Sequence, residues 1–170
     1  HHNLYAHNDS RNARLGNGDN EYGIQTVDMV NNVFYNWGER ATEVKDYVNA
    51  NIVGNYYKMG PDSAAWLEAG LPEVVLVGDD IERSIFIDGN FAPDCEGECE
   101  DDWHLVGEKD GDPGDRIFQS LTRHDAPFIT TTDAQTAFEQ VLAHAGARLP
   151  MLDSGDERIL RDVLNGTGRI

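Results

Sequence analysis

Through residues 1–91 the chain alternates short apolar runs with polar turns, and several of these runs lead to an asparagine followed by an aromatic or aliphatic side chain. The junctions are Asn3-Leu4-Tyr5, Asn32-Val33-Phe34, Asn55-Tyr56-Tyr57 and Asn90-Phe91; the runs before the last three are Val27–Val30, Val48–Val53 and Ile81–Ile87. Asn32 and Asn55 lie 23 residues apart, while the outer spacings are longer and contain insertions. A period in the twenties built from short β-runs predicts a solenoid, in which no coil can bury its apolar face alone. Asparagine suits the repeated turn because its side chain hydrogen-bonds local backbone and tolerates the left-handed region. Stacked coils would align these carboxamides in a ladder. On the same reasoning Tyr35, Trp37, Tyr56 and Tyr57 are expected to pack within or beside the stack.

The pattern fades after Gly89. Residues 92–130 form an acidic, loop-like region, and its run Asp110-Gly-Asp-Pro-Gly-Asp115 is either a solvated turn or a set of oxygen ligands suited to calcium. In residues 131–170 two helices are punctuated clearly. Thr132 and Gln135 form a capping-box pattern before Ala134, Phe138, Val141 and Leu142, with Gly146 as the stop. Ser154 and Glu157 repeat it before Ile159, Leu160, Val163 and Leu164, with Gly166 closing the run. The expected fold class is therefore all-β: a partial right-handed parallel β-helix over residues 1–91, with two C-terminal helices packed on its side. Residues 1–170 are expected to form a single, incomplete domain.

Composition narrows the chemistry. The 170 residues hold 31 acidic and 13 basic side chains, a formal charge of −18, and the basic set is ten Arg and three Lys. Such a balance opposes nucleic-acid binding, which needs clustered cations, and opposes membrane anchoring through a polybasic patch. It fits either a salt-adapted protein or an ordinary acidic secreted one. Cys95 and Cys99 are expected to pair in a local disulfide of an exported protein; with His104 they also give three ligands of a zinc set that lacks an evident fourth.

Against that negative background Arg11 and Arg14 stand out. Beyond a β-run and a turn they can present a cationic pair to a carboxylate-bearing ligand, since Arg bonds carboxylates in bidentate fashion. The alternative is that both are paired internally with Asp9, Asp19 or Glu21. His1, His2 and His7 are expected to pack and hydrogen-bond, because His1 and His2 would face opposite ways along a strand.

The stretch His1-His-Asn-Leu-Tyr-Ala-His-Asn-x-Ser-Arg-Asn-x-Arg14, followed by Val30-Asn-Asn-Val-Phe-Tyr-Asn-Trp-Gly38 and Val53-Gly-Asn-Tyr-Tyr-Lys58, resembles the pectate lyases of polysaccharide lyase family 1. Thr131-Thr-x-Ala-x-x-Ala137 and Asp156-Glu-Arg-Ile-Leu-Arg-Asp-Val163 are similar to the tail of that family. The resemblance implies a right-handed parallel β-helix that cleaves polygalacturonate by calcium-assisted β-elimination. It further implies that Arg11 is the Brønsted base, that Arg14 and Lys45 hold substrate carboxylates, and that the enzyme is a secreted monomer. Two positions depart from the family pattern Arg-x-Pro-x-x-Arg: Ala13 stands for the Pro and Gly16 for the second Arg. The resemblance places the calcium ligands and a further substrate Lys before the His-His-Asn strand. They are therefore expected upstream of His1, which would make this chain the C-terminal part of a longer enzyme and inactive alone. The rival expectation is a non-catalytic module that binds acidic polysaccharide, and an intermediate one is a lyase of another uronate-containing glycan.

Overall fold

A computed structural model describes residues 1–16, 18, 21–68, 73–78, 83–92, 101–108 and 116–170. The strands are β1 (Leu4–Ala6), β2 (Arg14–Leu15), β3 (Gln25–Val30), β4 (Val33–Tyr35), β5 (Arg40–Val44), β6 (Val48–Val53), β7 (Tyr56–Lys58), β8 (Glu73–Val77), β9 (Ser84–Asp88) and β10 (Val106–Glu108). They form three parallel sheets in the orders β1-β4-β7, β10-β8-β5-β2 and β3-β6-β9, so that β1 to β9 enter the sheets in rotation. The helices are α1 (Pro61–Glu68), α2 (Ala134–His144) and α3 (Ser154–Asn165), with a 3-10 turn at Asp102–Leu105.

This corrects the expected fold class. Among the described residues the fold is α/β and not all-β, about 30% strand and 23% helix, with three short parallel sheets, three helices and no closed solenoid found. The strands are two to six residues long, and sheets this narrow leave much of their cover to helices. Helix α1 was not expected from the repeat; it opens with Pro61 at its first position and Asp62 in its first turn, a start that suits the fixed φ of proline and the positive helix end. Within the stretch expected as acidic loop, Val106–Glu108 joins β8 in parallel register. Cys95, Cys99 and the Asp110–Asp115 run lie outside the described residues.

The asparagine ladder forms. Asn3 donates both its backbone N–H and its Nδ2 to Oδ1 of Asn32, each at 3.0 Å. Asn32 does the same to Asn55 at 2.9 and 3.0 Å, and Asn55 to Asn90 at 2.9 Å twice. The row ends on a carboxylate, with Asn90 donating from N and Nδ2 to Asp102 Oδ2 at 2.6 and 2.9 Å. Each ladder residue follows a left-handed corner: His2 (φ 57°), Asn31 (52°), Gly54 (61°) and Gly89 (67°). At Gly54 a side chain is doubly disfavoured, since an added Cβ would also lie 2.8 Å from the Thr132 carbonyl oxygen.

Inside the stack, Tyr5, Phe34 and Tyr57 lie ring on ring with centroids 5.0 and 4.7 Å apart. Tyr35, Trp37 and Tyr57 are buried as expected, alongside Val44, Ile52 and Ile85. Burial drives the Tyr57 phenol upward from its ordinary value.

The C-terminal helices cover the β1-β4-β7 sheet. Phe138 of α2 packs on Tyr56 with centroids 4.5 Å apart. Lys58 Nζ donates to the Val163 carbonyl near the α3 C-terminus, where a cation is favoured. Tyr35 Oη donates to the Thr167 carbonyl at 2.7 Å, and burial pushes its phenol up to about 12. The helix starts differ from the expected capping boxes: the caps are Asp133 and Asp153, which accept from the Thr136 and Asp156 backbone N–H groups. Thr132 instead ties its N–H and carbonyl to the Asn31 carboxamide, at 2.9 and 2.8 Å. At the other ends, Gly146 (φ 85°) follows the Ala145 cap of α2 and Gly166 (φ 69°) closes α3, both as expected.

The His7 side chain is covered here, 8% exposed. Its Nδ1 lies 3.0 Å from Asn36 Nδ2, which also donates to Asp62, and its Nε2 lies 3.6 Å from Asp162 Oδ2. The Asn36 amide makes Nδ1 the acceptor of a neutral imidazole. Desolvation lowers the His7 value below 6.5, against the opposing pull of Asp162 and with the support of Arg158.

Two outcomes are expected. Asn55→Ala removes an amide that both accepts from Asn32 and donates to Asn90 in full burial, so chemical denaturation should show a loss of about 2–4 kcal/mol; the exposed Asn3→Ala should lose about 1 kcal/mol. For His7, whose folded value is depressed, the stabilising contribution is present above its ordinary value and is lost as pH falls through the lowered one. Denaturation curves between about pH 7 and pH 5 should therefore be steeper in pH for the wild type than for His7→Gln.

Candidate carboxylate-binding site

The site is built on the β2–β5 pair, in which Arg14 sits opposite Glu43 and Leu15 opposite Val44. Leu15 and Val44 point into the core, so Arg14 and Glu43 occupy the outer face. Glu43 is nevertheless only 2% exposed, because guanidinium groups cover it. Arg11 Nε donates to Glu43 Oε2 at 2.8 Å, and Arg14 Nε lies 3.3 Å from the same oxygen. Arg40 Nη1 donates to the other oxygen, Oε1, at 2.9 Å, and Arg40 also pairs with Glu39. One buried carboxylate thus joins three guanidiniums.

The three do not share one environment. Arg40 is itself buried, whereas the Arg11 and Arg14 side chains are 47% and 54% exposed. Arg11 holds a left-handed backbone conformation (φ 61°), unusual for a residue with a Cβ and maintained only where its surroundings fix it. Its N–H donates to the Arg40 carbonyl at 3.1 Å, and that of Asn12 to the Ala41 carbonyl. The Arg11 loop is therefore laced to the start of β5.

Lys45 lies two residues beyond Glu43, and its N–H donates to the Leu15 carbonyl at 2.7 Å, which continues the strand pairing past Val44. Residues two apart along a strand share a face, so Lys45 stands on the same side as Arg14 and Glu43. Glycines flank it. A Cβ at Gly16 would come 3.2 Å from Lys45 Cβ, and one at Gly78 would come 2.5 Å from its Cε. Its aliphatic stem thus lies across Gly78. Among the described residues Lys45 Nζ forms no ion pair. Next to it, Arg14, Gly16, Gly18 and Asp46 line a cavity of about 230 Å³.

Arg11, Arg14 and Lys45, singled out from the sequence, are therefore brought to one face. The internal ion-pair alternative did not name Glu43, 32 residues beyond Arg11, which both arginines meet; Asp19 lies outside the described residues. Glu43 and Arg40 were missed. In an alternating strand a lone Glu reads as a solvated outward side chain, and only the pairing register reveals that Arg14 lies beside it. The histidines also differ from expectation in one respect. His1 and His2 do not diverge along a strand; the left-handed corner at His2 brings their Nδ1 atoms within 2.8 Å.

Both Glu43 oxygens are committed to guanidiniums, and no three His, Cys, Asp or Glu side chains converge among the described residues. No helix among them is long and apolar enough to cross a membrane. No family model matches the chain, and no curated protein matches it.

The glycine bed under Lys45 yields a direct check. Gly78→Ala should displace the flexible Lys45 stem with little cost in stability, within about 1 kcal/mol. Acylation of Lys45 by limiting reagent, followed by peptide mapping, should then proceed faster than in the wild type. An unchanged rate would contradict the packing.

Proposed function

We propose that this chain serves a secreted polysaccharide lyase of the pectate-lyase kind, which cleaves polygalacturonate by β-elimination. The observation that carries the reading is the shared face of Arg11, Arg14 and Lys45, three cations presented together by a protein of net charge −18. A polyuronate offers one carboxylate per sugar, and adjacent cations on a rigid sheet can hold successive carboxylates in register. With their Nε groups on Glu43, Arg11 and Arg14 retain the Nη1/Nη2 edge, which suits end-on bidentate binding.

In this proposal Arg14 and Lys45 bind uronate carboxylates and orient the sugar chain. Arg11 removes the proton from C5 of the uronate, the freed electron pair forms the C4–C5 double bond, and the C4–oxygen bond breaks. The departing sugar oxygen takes up a proton, leaving one reducing end and one unsaturated end. A guanidine acts as a base only after losing its own proton, which arginine resists strongly in water. Cations crowded around a bound substrate favour that loss. Calcium, which the resemblance implies, is assigned no residue and no step.

One set of observations favours the rival reading, a non-catalytic module that binds acidic polysaccharide. Ala13 and Gly16 replace two residues of the family pattern, and Arg11 Nε is already engaged by Glu43. Binding needs only the cationic face, whereas elimination needs a base.

The full gene product should generate ultraviolet-absorbing unsaturated uronide from polygalacturonate with calcium, and lose the signal with a chelator. Arg11→Ala should lower turnover by about 10²–10⁴-fold while circular dichroism shows the fold retained. Arg14→Ala and Lys45→Ala should chiefly raise KM, by about tenfold each. Retained turnover in Arg11→Ala refutes the base assignment. Polymer binding without unsaturated ends moves the function to the binding module.

A further inference from the structure

We infer that Glu43 is a positioning residue of this face, acting on a bound uronate only through Arg11 and Arg14. The inference rests on the reading of that face as a carboxylate binder, and it assigns a role to a residue of the same sign as the ligand. Electrostatics alone would count Glu43 as an antagonist, since a carboxylate beside two anion-binding cations competes with the anion. The geometry points the other way.

Arg11 and Arg14 approach Glu43 with the same atom, Nε, and meet the same oxygen, Oε2, at 2.8 and 3.3 Å. Engagement at Nε fixes a guanidinium plane while leaving its Nη1/Nη2 edge open. Oε1 is held in turn by buried Arg40, so the Glu43 carboxylate cannot rotate to follow a mobile arginine. The two half-exposed side chains are thus hinged on a point anchored in the sheet. Without that anchor each long side chain would sample many rotamers and lose that freedom on binding, which weakens affinity. The left-handed backbone at Arg11 also persists only while its surroundings hold it.

The two roles differ in the sign of their effect. Glu43→Gln raises the net charge of the face by one, so a competing counter-ion predicts tighter anion binding, whereas a positioning residue predicts weaker binding. The test is calorimetric titration of the full gene product with a galacturonate trimer, for the wild type, Glu43→Gln, Glu43→Asp and Arg14→Ala. Thermal melts establish that each variant is folded. The expected result is a loss of about tenfold in affinity for Glu43→Gln, partial recovery for Glu43→Asp and a loss for Arg14→Ala. Equal or tighter binding by Glu43→Gln, with Arg14→Ala weakened, overturns the positioning role and leaves the binding face intact. Undiminished binding by Arg14→Ala overturns the face itself and the inference with it. Should Glu43→Gln fail to fold, the ligand-free wild type decides by NMR. Slowly exchanging Arg11 and Arg14 Nε–H signals support the hinge, and rapidly averaged ones refute it.

Discussion

The architecture depends on one repeated interaction, a carboxamide that accepts two N–H bonds from the residue stacked above it and passes two on to the residue below. Asn32 and Asn55 do this in complete burial, where an unpaired amide would cost about 1–3 kcal/mol. A slip of one residue in any strand would break two bonds at each affected step and turn apolar side chains outward. The ladder therefore holds register while the connecting segments vary in length. It also ends asymmetrically: Asp102, a carboxylate with no amide to pass on, accepts the last pair of donors from Asn90.

Register is what converts the fold into a surface with chemistry. The pairing that sets Leu15 against Val44 in the core also sets Arg14 against Glu43 on the outside. The rotation of strands among the three sheets then brings the loop bearing Arg11 back to the start of β5, where its backbone is tied to Arg40. A buried ion cluster is a poor source of stability, because desolvation offsets much of the attraction. Its value lies in fixing geometry, and here it fixes two arginines whose outer edges stay open to solvent. Lys45, packed over Gly78, extends the same face by one step along the strand.

Much of this was legible because it repeats. The asparagine turns and the aromatic stack follow from local rules applied several times, so a short sequence carries several copies of the evidence. The α2 and α3 helices were legible for another reason, their polar starts and apolar stripes, although Asp133 and Asp153 took the caps from Thr132 and Ser154. What failed depended on single events. Helix α1 has one proline and one acidic residue to announce it. The all-β class followed the repeated turns and treated the two C-terminal helices as additions to a solenoid, with no place for α1. Glu43 looked like any solvated strand residue, since its partners Arg11 and Arg14 lie far off in sequence and meet it only through parallel pairing.

The central claim is that Arg11, Arg14 and Lys45 form one surface that receives uronate carboxylates. The most direct measurement is a titration of the isotope-labelled protein with a galacturonate trimer, followed through the side-chain nitrogen resonances of arginine and lysine. Saturable shifts are expected at Arg11, Arg14 and Lys45 with a common dissociation constant, and little change at Arg123, Arg148 or Arg169. Shifts that spare these three residues, or that spread evenly over the basic side chains, would contradict it.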